Sequence, residues 1–145
     1  MATRTAHTTW SGGLQDGSGT VELVSSGVGS FPVSFPRRIG DNAEGVTSPE
    51  ELIAAAHCAC YAMAFSNMLG EAGGTNTSLS VQADVAIGPD PAGGLMIPSI
   101  RLTVRGSSDG VDADTFVALA EQAKVGCPVS KALAGTDITL DAAAK

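Results

Sequence analysis

The sequence predicts an α+β fold in which antiparallel strands are arranged around one long buried helix. Three observations lead there. Hydrophobic alternation and the Gly- and Pro-rich breaks read in the order βββ–α–ββ–α–α–β, which is not a series of βαβ repeats. The longest helical stretch is apolar on nearly every side, so it has to be covered all round, and a second subunit is expected to cover part of it. The 145-residue chain is 43% apolar but only 4% aromatic, so its core must rest on small side chains in close contact. That length suits one domain, residues 1–145, and no repeat, low-complexity tract or linker divides it.

In chain order, Thr5 to Trp10 and Thr20 to Ser25 read as two strands joined by the glycine-rich turn Gly12 to Gly19. Phe31 to Phe35 reads as a third strand, ended by Pro36, with Arg37 and Arg38 before a turn-rich stretch from Gly40 to Gly45. Ser48-Pro49-Glu50-Glu51 is the strongest local signal. It supplies an N-cap, a proline at the first helical position, acids in the first turn and Glu51 at the capping-box position. The helix it opens should run to about Glu71, with Gly73 and Gly74 as its stop. Leu79 to Ile87 and Met96 to Arg105 alternate as strands around a Gly88 to Gly94 turn. Asp112 caps an amphipathic helix to Val125 that turns Phe116, Leu119, Ala120 and Ala123 inward. Gly126 breaks it, Cys127-Pro128 opens a short helix to about Leu133, and Asp137 to Leu140 forms a last strand.

Charge narrows the partners. Eight Lys and Arg against fifteen Asp and Glu leave a net charge of −7, which argues against nucleic acid or an anionic membrane surface. Leu52 to Leu69 has the length of a membrane span, but it is mostly alanine and carries His57, Ser66 and Asn67, so a buried helix is expected instead. Met1 to Trp10 has no apolar secretory segment, and three cysteines in such a chain point to thiols in a reducing cytoplasm.

The cysteines are Cys58, Cys60 and Cys127. Cys58 and Cys60 lie about 200° apart round a helix, so they face different ways and cannot join each other. For Cys58 a small buried hydrophobe is the expected role. His57 and Cys60 share a helix face, but no further ligand stands at zinc spacing, and no metal or other cofactor is expected. A redox role needs a thiolate, and an unperturbed cysteine titrates near ~8.5. Cys60 is mid-helix and needs a cation. No Lys or Arg occurs between Arg38 and Arg101, and Arg101 and Arg105 fall on the polar face of a strand. That leaves Arg37 and Arg38. Cys127 opens a helix, where free N–H groups favour an anion. Either Cys60 or Cys127 could therefore be the nucleophile.

Thr47-Ser48-Pro49-Glu50-Glu51-Leu52-Ile53-Ala54-Ala55-Ala56-His57-Cys58-Ala59-Cys60 resembles the central-helix signature of the OsmC/Ohr family of thiol-dependent hydroperoxide reductases. The likeness continues through Met68-Leu69-Gly70-Glu71-Ala72-Gly73 and Ala123-Lys124-Val125-Gly126-Cys127-Pro128-Val129-Ser130, and His57 with the Glu-Glu pair is closer to the OsmC branch. The resemblance implies a single OsmC-like domain in an intertwined homodimer with sites at the subunit interface. It implies a peroxidase for organic hydroperoxides, with hydrogen peroxide a poorer substrate. Cys60 falls at the position of the peroxidatic cysteine and Cys127 at that of the resolving one. Arg38 fits the arginine that holds the thiolate, and Glu50 the acid that orients it. An external dithiol, such as a lipoylated protein, is the implied reductant. Cys58 stands where the family commonly has alanine and inherits no role. Glu50 precedes Cys60 by ten residues, ~15 Å along one straight helix, so a partner's residues are expected to complete each site. From other classes, the chain could be a dimeric binding module for a hydrophobic ligand, or a structural stress protein with three core thiols.

Overall fold

Near the N-terminus, polar and β-branched residues flank a glycine turn, and the computed structural model, which describes residues 1–145, folds them into a three-stranded antiparallel sheet. Strand β1 (His7–Ser11) pairs with β2 (Ser18–Glu22), and β2 with β3 (Ser30–Val33). The expected third strand stops short of Phe35. Phe35 opens a five-residue helix, α1 (Phe35–Ile39), with Pro36 in its first turn. Arg37 and Arg38 thus lie on a helical turn and not in a loop. Proline's fixed φ suits that position, because its missing N–H has no helical partner to lose.

Helix α2 (Pro49–Glu71) begins and ends where its signals stand. Ser48 Oγ accepts the Glu51 N–H at 3.2 Å. The Glu51 carboxylate takes the Thr47 hydroxyl, so the capping box is half formed. At the other end Gly74 N–H reaches the Leu69 carbonyl and Gly73 N–H that of Gly70, the paired bonds of a Schellman stop. Gly73 has φ +86°, a backbone that β-carbons disfavour.

The chain divides into two compact units, Met1–Leu52 and Ile53–Lys145. In the second, β4 (Thr75–Val85) pairs antiparallel with β7 (Ser99–Asp109), while β5 (Gly88–Pro89) and β6 (Leu95–Met96) make a small hairpin of their own. Strand β8 (Asp137–Ala144) lies on the other side of β7, and this pairing is parallel. A parallel neighbour needs a crossover, and α3 (Ala113–Gly126) with α4 (Pro128–Ala132) supplies it. The α+β class stands, with one βαβ crossover inside it. Asp112 caps α3 as expected, its carboxylate accepting the Thr115 N–H at 2.8 Å.

The core of this unit is a ridge of α2, Tyr61, Phe65 and Leu69, set against Leu102 and Val104 of β7 and Phe116, Ala120 and Ala123 of α3. Phe65 meets the edge of Phe116 with ring centroids 4.8 Å apart, and Tyr61 donates its hydroxyl to the Ala120 carbonyl at 2.8 Å. By length and composition α2 could cross a membrane, but His57, Tyr61, Phe65 and Leu69 are all fully buried in protein. Its opposite side is also apolar, and there Ala55, Ala59 and Met63 are exposed, Met63 by 72%.

Truncating the ridge removes contacts that the small neighbours cannot refill. Phe65→Ala should therefore lower the unfolding free energy by about 3–5 kcal/mol in urea denaturation. Val125→Ala, at a side chain 71% exposed on α3, should change it by less than about 0.5 kcal/mol.

Candidate active site

Helix α1 and the first turn of α2 hold one pair of candidate residues. Arg38 Nη2 donates to Glu50 Oε1 at 2.7 Å, and its Nε reaches both carboxylate oxygens at 3.2 and 3.1 Å. This fork geometry is the strongest form of a carboxylate–guanidinium pair. Arg37, the other candidate, instead pairs with Glu44 at the surface. Glu50 is buried, while the Arg38 side chain keeps 31% exposure. Burial alone would push Glu50 up, but the Arg38 hydrogen bonds, helped by its own backbone N–H and by Ser48, hold it below the ordinary carboxylate range. The same hydrogen bonds raise the Arg38 guanidinium, so both partners stay charged.

Beside this pair lies a cavity of about 380 Å³, lined by Trp10, Leu14, Val21, Phe35 and Leu52, with Arg38 on its wall. An apolar chamber with one cationic donor is suited to a molecule that has a greasy body and one polar end.

In the second unit, α2 turns its cysteines apart. Cys58 faces the backbone of Ala83 on β4, where burial pushes its thiol up and Asp84 pushes it further. Cys60 packs against the buried cluster that contains Cys127, close enough for each thiol to act on the other's ionisation. All three cysteines are free thiols. The two thiols of the contact have different surroundings. Burial raises Cys60, and donating its hydrogen to Cys127 adds to that rise, against one backbone N–H from Val129. Burial also pushes Cys127 up, but the Ser130 N–H, the Cys60 thiol, the Ser130 hydroxyl and the Val129 N–H together bring it below the ordinary thiol range. Access runs the other way. Cys127 is 0% exposed, whereas Cys60 is only partly buried.

Two functional candidates escaped the sequence reading as a pair. His57, considered from the sequence as a metal ligand beside Cys60, is fully buried with its Nε2 2.8 Å from Ser130 Oγ. Burial pushes its pKa down, so the ring is neutral at pH 7. A serine three residues after a helix-opening cysteine was the available signal, because that spacing returns it to the cysteine's face.

The expected residues thus form two pairs, Arg38 with Glu50 and Cys60 with Cys127. Glu50 stands in the first turn of the unbroken helix α2 and Cys60 in its middle. Residues 40–141 match the family described as OsmC-like protein.

The chain belongs to the OsmC family.

Over 132 residues it is 45% identical to the peroxiredoxin OsmC of Escherichia coli, covering 91% of this chain and 90% of that one. It is 33% identical to an organic hydroperoxide resistance protein of Xanthomonas axonopodis, over 94% and 92% of the two chains. Among solved OsmC-family structures, an organic hydroperoxide resistance protein from Elizabethkingia anophelis superposes with a TM-score of 0.80 at 29% identity, covering 100% of this chain and 98% of that one.

The Arg38–Glu50 pair links stability to pH. Because the folded Glu50 titrates below its unfolded value of about 4.3, its contribution is fully present above that pH. It is lost as pH falls through the lower folded value. Glu50→Gln should therefore cost roughly 1–3 kcal/mol in urea denaturation at pH 7. The gap to the native chain should narrow steadily when the measurement is repeated toward pH 3.

Proposed function

We propose that this chain is a thiol-dependent peroxidase that reduces organic hydroperoxides to alcohols, and hydrogen peroxide less well. The observation that carries this reading is the approach of Cys60 to Cys127, which stand 67 residues apart in sequence and are brought together where α2 packs against the core cluster that holds Cys127. The relatives named as peroxiredoxin and as hydroperoxide resistance proteins support it.

Cys60, the more accessible thiol, is the peroxidatic residue. Its thiolate attacks the distal oxygen of the hydroperoxide; the O–O bond breaks, the alkoxide leaves and takes a proton, and Cys60 becomes a sulfenic acid. Cys127 then attacks that sulfur, forming a disulfide and releasing water. An external dithiol, a lipoylated protein being one candidate, restores both thiols. Arg38 stabilises the Cys60 thiolate and the charge that develops on the peroxide oxygens, and Glu50 keeps the guanidinium in position. The apolar cavity beside Arg38 receives the organic body of the substrate, which accounts for the preference over hydrogen peroxide. Metal and bound cofactor have no part in these steps.

The 145 residues act as one OsmC-like domain, since the family match at 40–141 runs across the boundary between the two compact units. The working form is a homodimer whose sites lie at the subunit interface. The Arg38–Glu50 pair of one chain serves the thiol pair of a second copy. The exposed apolar side of α2, with Ala55, Ala59 and Met63, supports this association, because so much unpaired small-residue surface suits helix-to-helix contact.

One equivalent of cumene hydroperoxide should consume two thiols per chain, and peptide mapping should find Cys60 joined to Cys127. Cys127→Ser should stop at a trapped sulfenic acid on Cys60, Cys60→Ser should abolish turnover, and Arg38→Ala should slow the first step by about 10²-fold. Three unreacted thiols would overturn the peroxidase and favour a binding module that uses the apolar cavity for a hydrophobic ligand. Ala59→Glu, which sets a charge in the exposed face of α2, should shift sedimentation from dimer to monomer and remove activity with it.

A further inference from the structure

His57 and Ser130 make a polar cluster inside an apolar core. They come from α2 and α4, 73 residues apart, and both are buried, His57 completely and Ser130 to 6% exposure. Their side chains meet at 2.8 Å, while His57 Nδ1 has no hydrogen-bond partner at all. Such an arrangement is costly unless the remaining bond is worth keeping.

The unpartnered nitrogen selects the tautomer. A buried N–H without an acceptor is rarer than a buried lone pair without a donor. Nδ1 therefore carries the lone pair and Nε2 carries the hydrogen, which it donates to Ser130 Oγ. The serine oxygen is then occupied as an acceptor, and its own hydrogen is free to point elsewhere. Ser130 stands three residues after Cys127 in the first turn of α4, which returns its hydroxyl to the side of that cysteine, and it is among the groups that bring the Cys127 thiol down.

We propose that His57 is a positioning residue that fixes the direction of the Ser130 hydroxyl toward the Cys127 sulfur and so prepares the resolving thiol. This rests on the peroxidase reading above. In the resolving step the Cys127 thiolate attacks the sulfur of the Cys60 sulfenic acid. The S–S bond forms, the S–O bond breaks, and the departing hydroxide leaves as water with the proton that Cys127 gave up. His57 touches neither reacting sulfur. It acts through Ser130, and a neutral ring is sufficient, which is the form that full burial favours. The ionisable groups that interact with Cys127 are Cys60 and Tyr61 of α2, Glu121 of α3 acts in turn on Tyr61, and the His57 shift comes from burial.

The test uses the full chain with Cys58 and Cys60 both changed to Ser, so that Cys127 is the only thiol, and follows thiolate ultraviolet absorbance against pH. Ser130→Ala and His57→Leu should each lower the thiolate-to-thiol ratio at a fixed pH by roughly tenfold, the loss of one charge-assisted hydrogen bond. The double variant should lose no more than either single one. His57→Gln, which can place an N–H where Nε2 stood, should recover most of the loss, and His57→Asn, which cannot, should not. An unchanged profile in His57→Leu, additive losses, or equal profiles for the Gln and Asn variants would overturn the proposal, the last comparison serving if the Leu variant does not fold. Failure of the peroxidase reading is seen separately, as no sulfenic acid on Cys60 after cumene hydroperoxide, and the absorbance result stands apart from it.

Discussion

The ridge of Tyr61, Phe65 and Leu69 on α2 is the contact on which the second unit depends. Three large side chains one turn apart are enclosed by β7 and α3, and in a chain with so few aromatics they are among its largest fully buried groups. The ridge also fixes rotation. With Tyr61 tied to the Ala120 carbonyl and Phe65 against Phe116, α2 cannot turn about its axis without breaking a hydrogen bond and an aromatic contact. Cys60 is next to Tyr61 and Cys127 follows α3 directly, so the packing that holds the helix also sets the two thiols against each other.

The electrostatics of the candidate site divide into a formal ion pair and a neutral network. Arg38 and Glu50 keep full charges at a partly open position, where water still screens the guanidinium. The main influences on Cys127 carry no formal charge. Two backbone N–H groups, a hydroxyl and a thiol outweigh burial there by hydrogen bonding alone. The first arrangement can reach toward an incoming molecule, whereas the second can stabilise an anion only at one fixed point.

What could be read in the sequence follows from the range of the interactions involved. The start of α2 at Ser48-Pro49, its stop at Gly73-Gly74 and the Asp112 cap of α3 are local devices, settled within a few residues, and they stand as expected. The inward set Ile100, Leu102 and Val104, with Arg101 and Arg105 turned out to pair with Asp141, follows from strand alternation. Helix α1 escaped because five residues are too few to show a helical period, and its N-cap Ser34 makes no side-chain bond. The parallel direction of β8 escaped because alternation is the same whichever way a strand runs. The meeting of His57 with Ser130 is a product of tertiary packing; the local spacing places Ser130 beside Cys127 but does not point to His57. The four site residues Cys60, Cys127, Arg38 and Glu50 came chiefly from family likeness, and the structure adds their pairing into two contacts.

The separation of the paired thiols along the chain has a thermodynamic side. A disulfide between Cys60 and Cys127 would tie off a loop of nearly half the molecule. By loop-closure entropy alone that restricts the unfolded ensemble by about 4 kcal/mol, comparable to a large share of a small domain's whole stability. Each oxidation would then harden the fold and each reduction soften it. The reduced chain, waiting for oxidant, would be the form most exposed to unfolding and proteolysis.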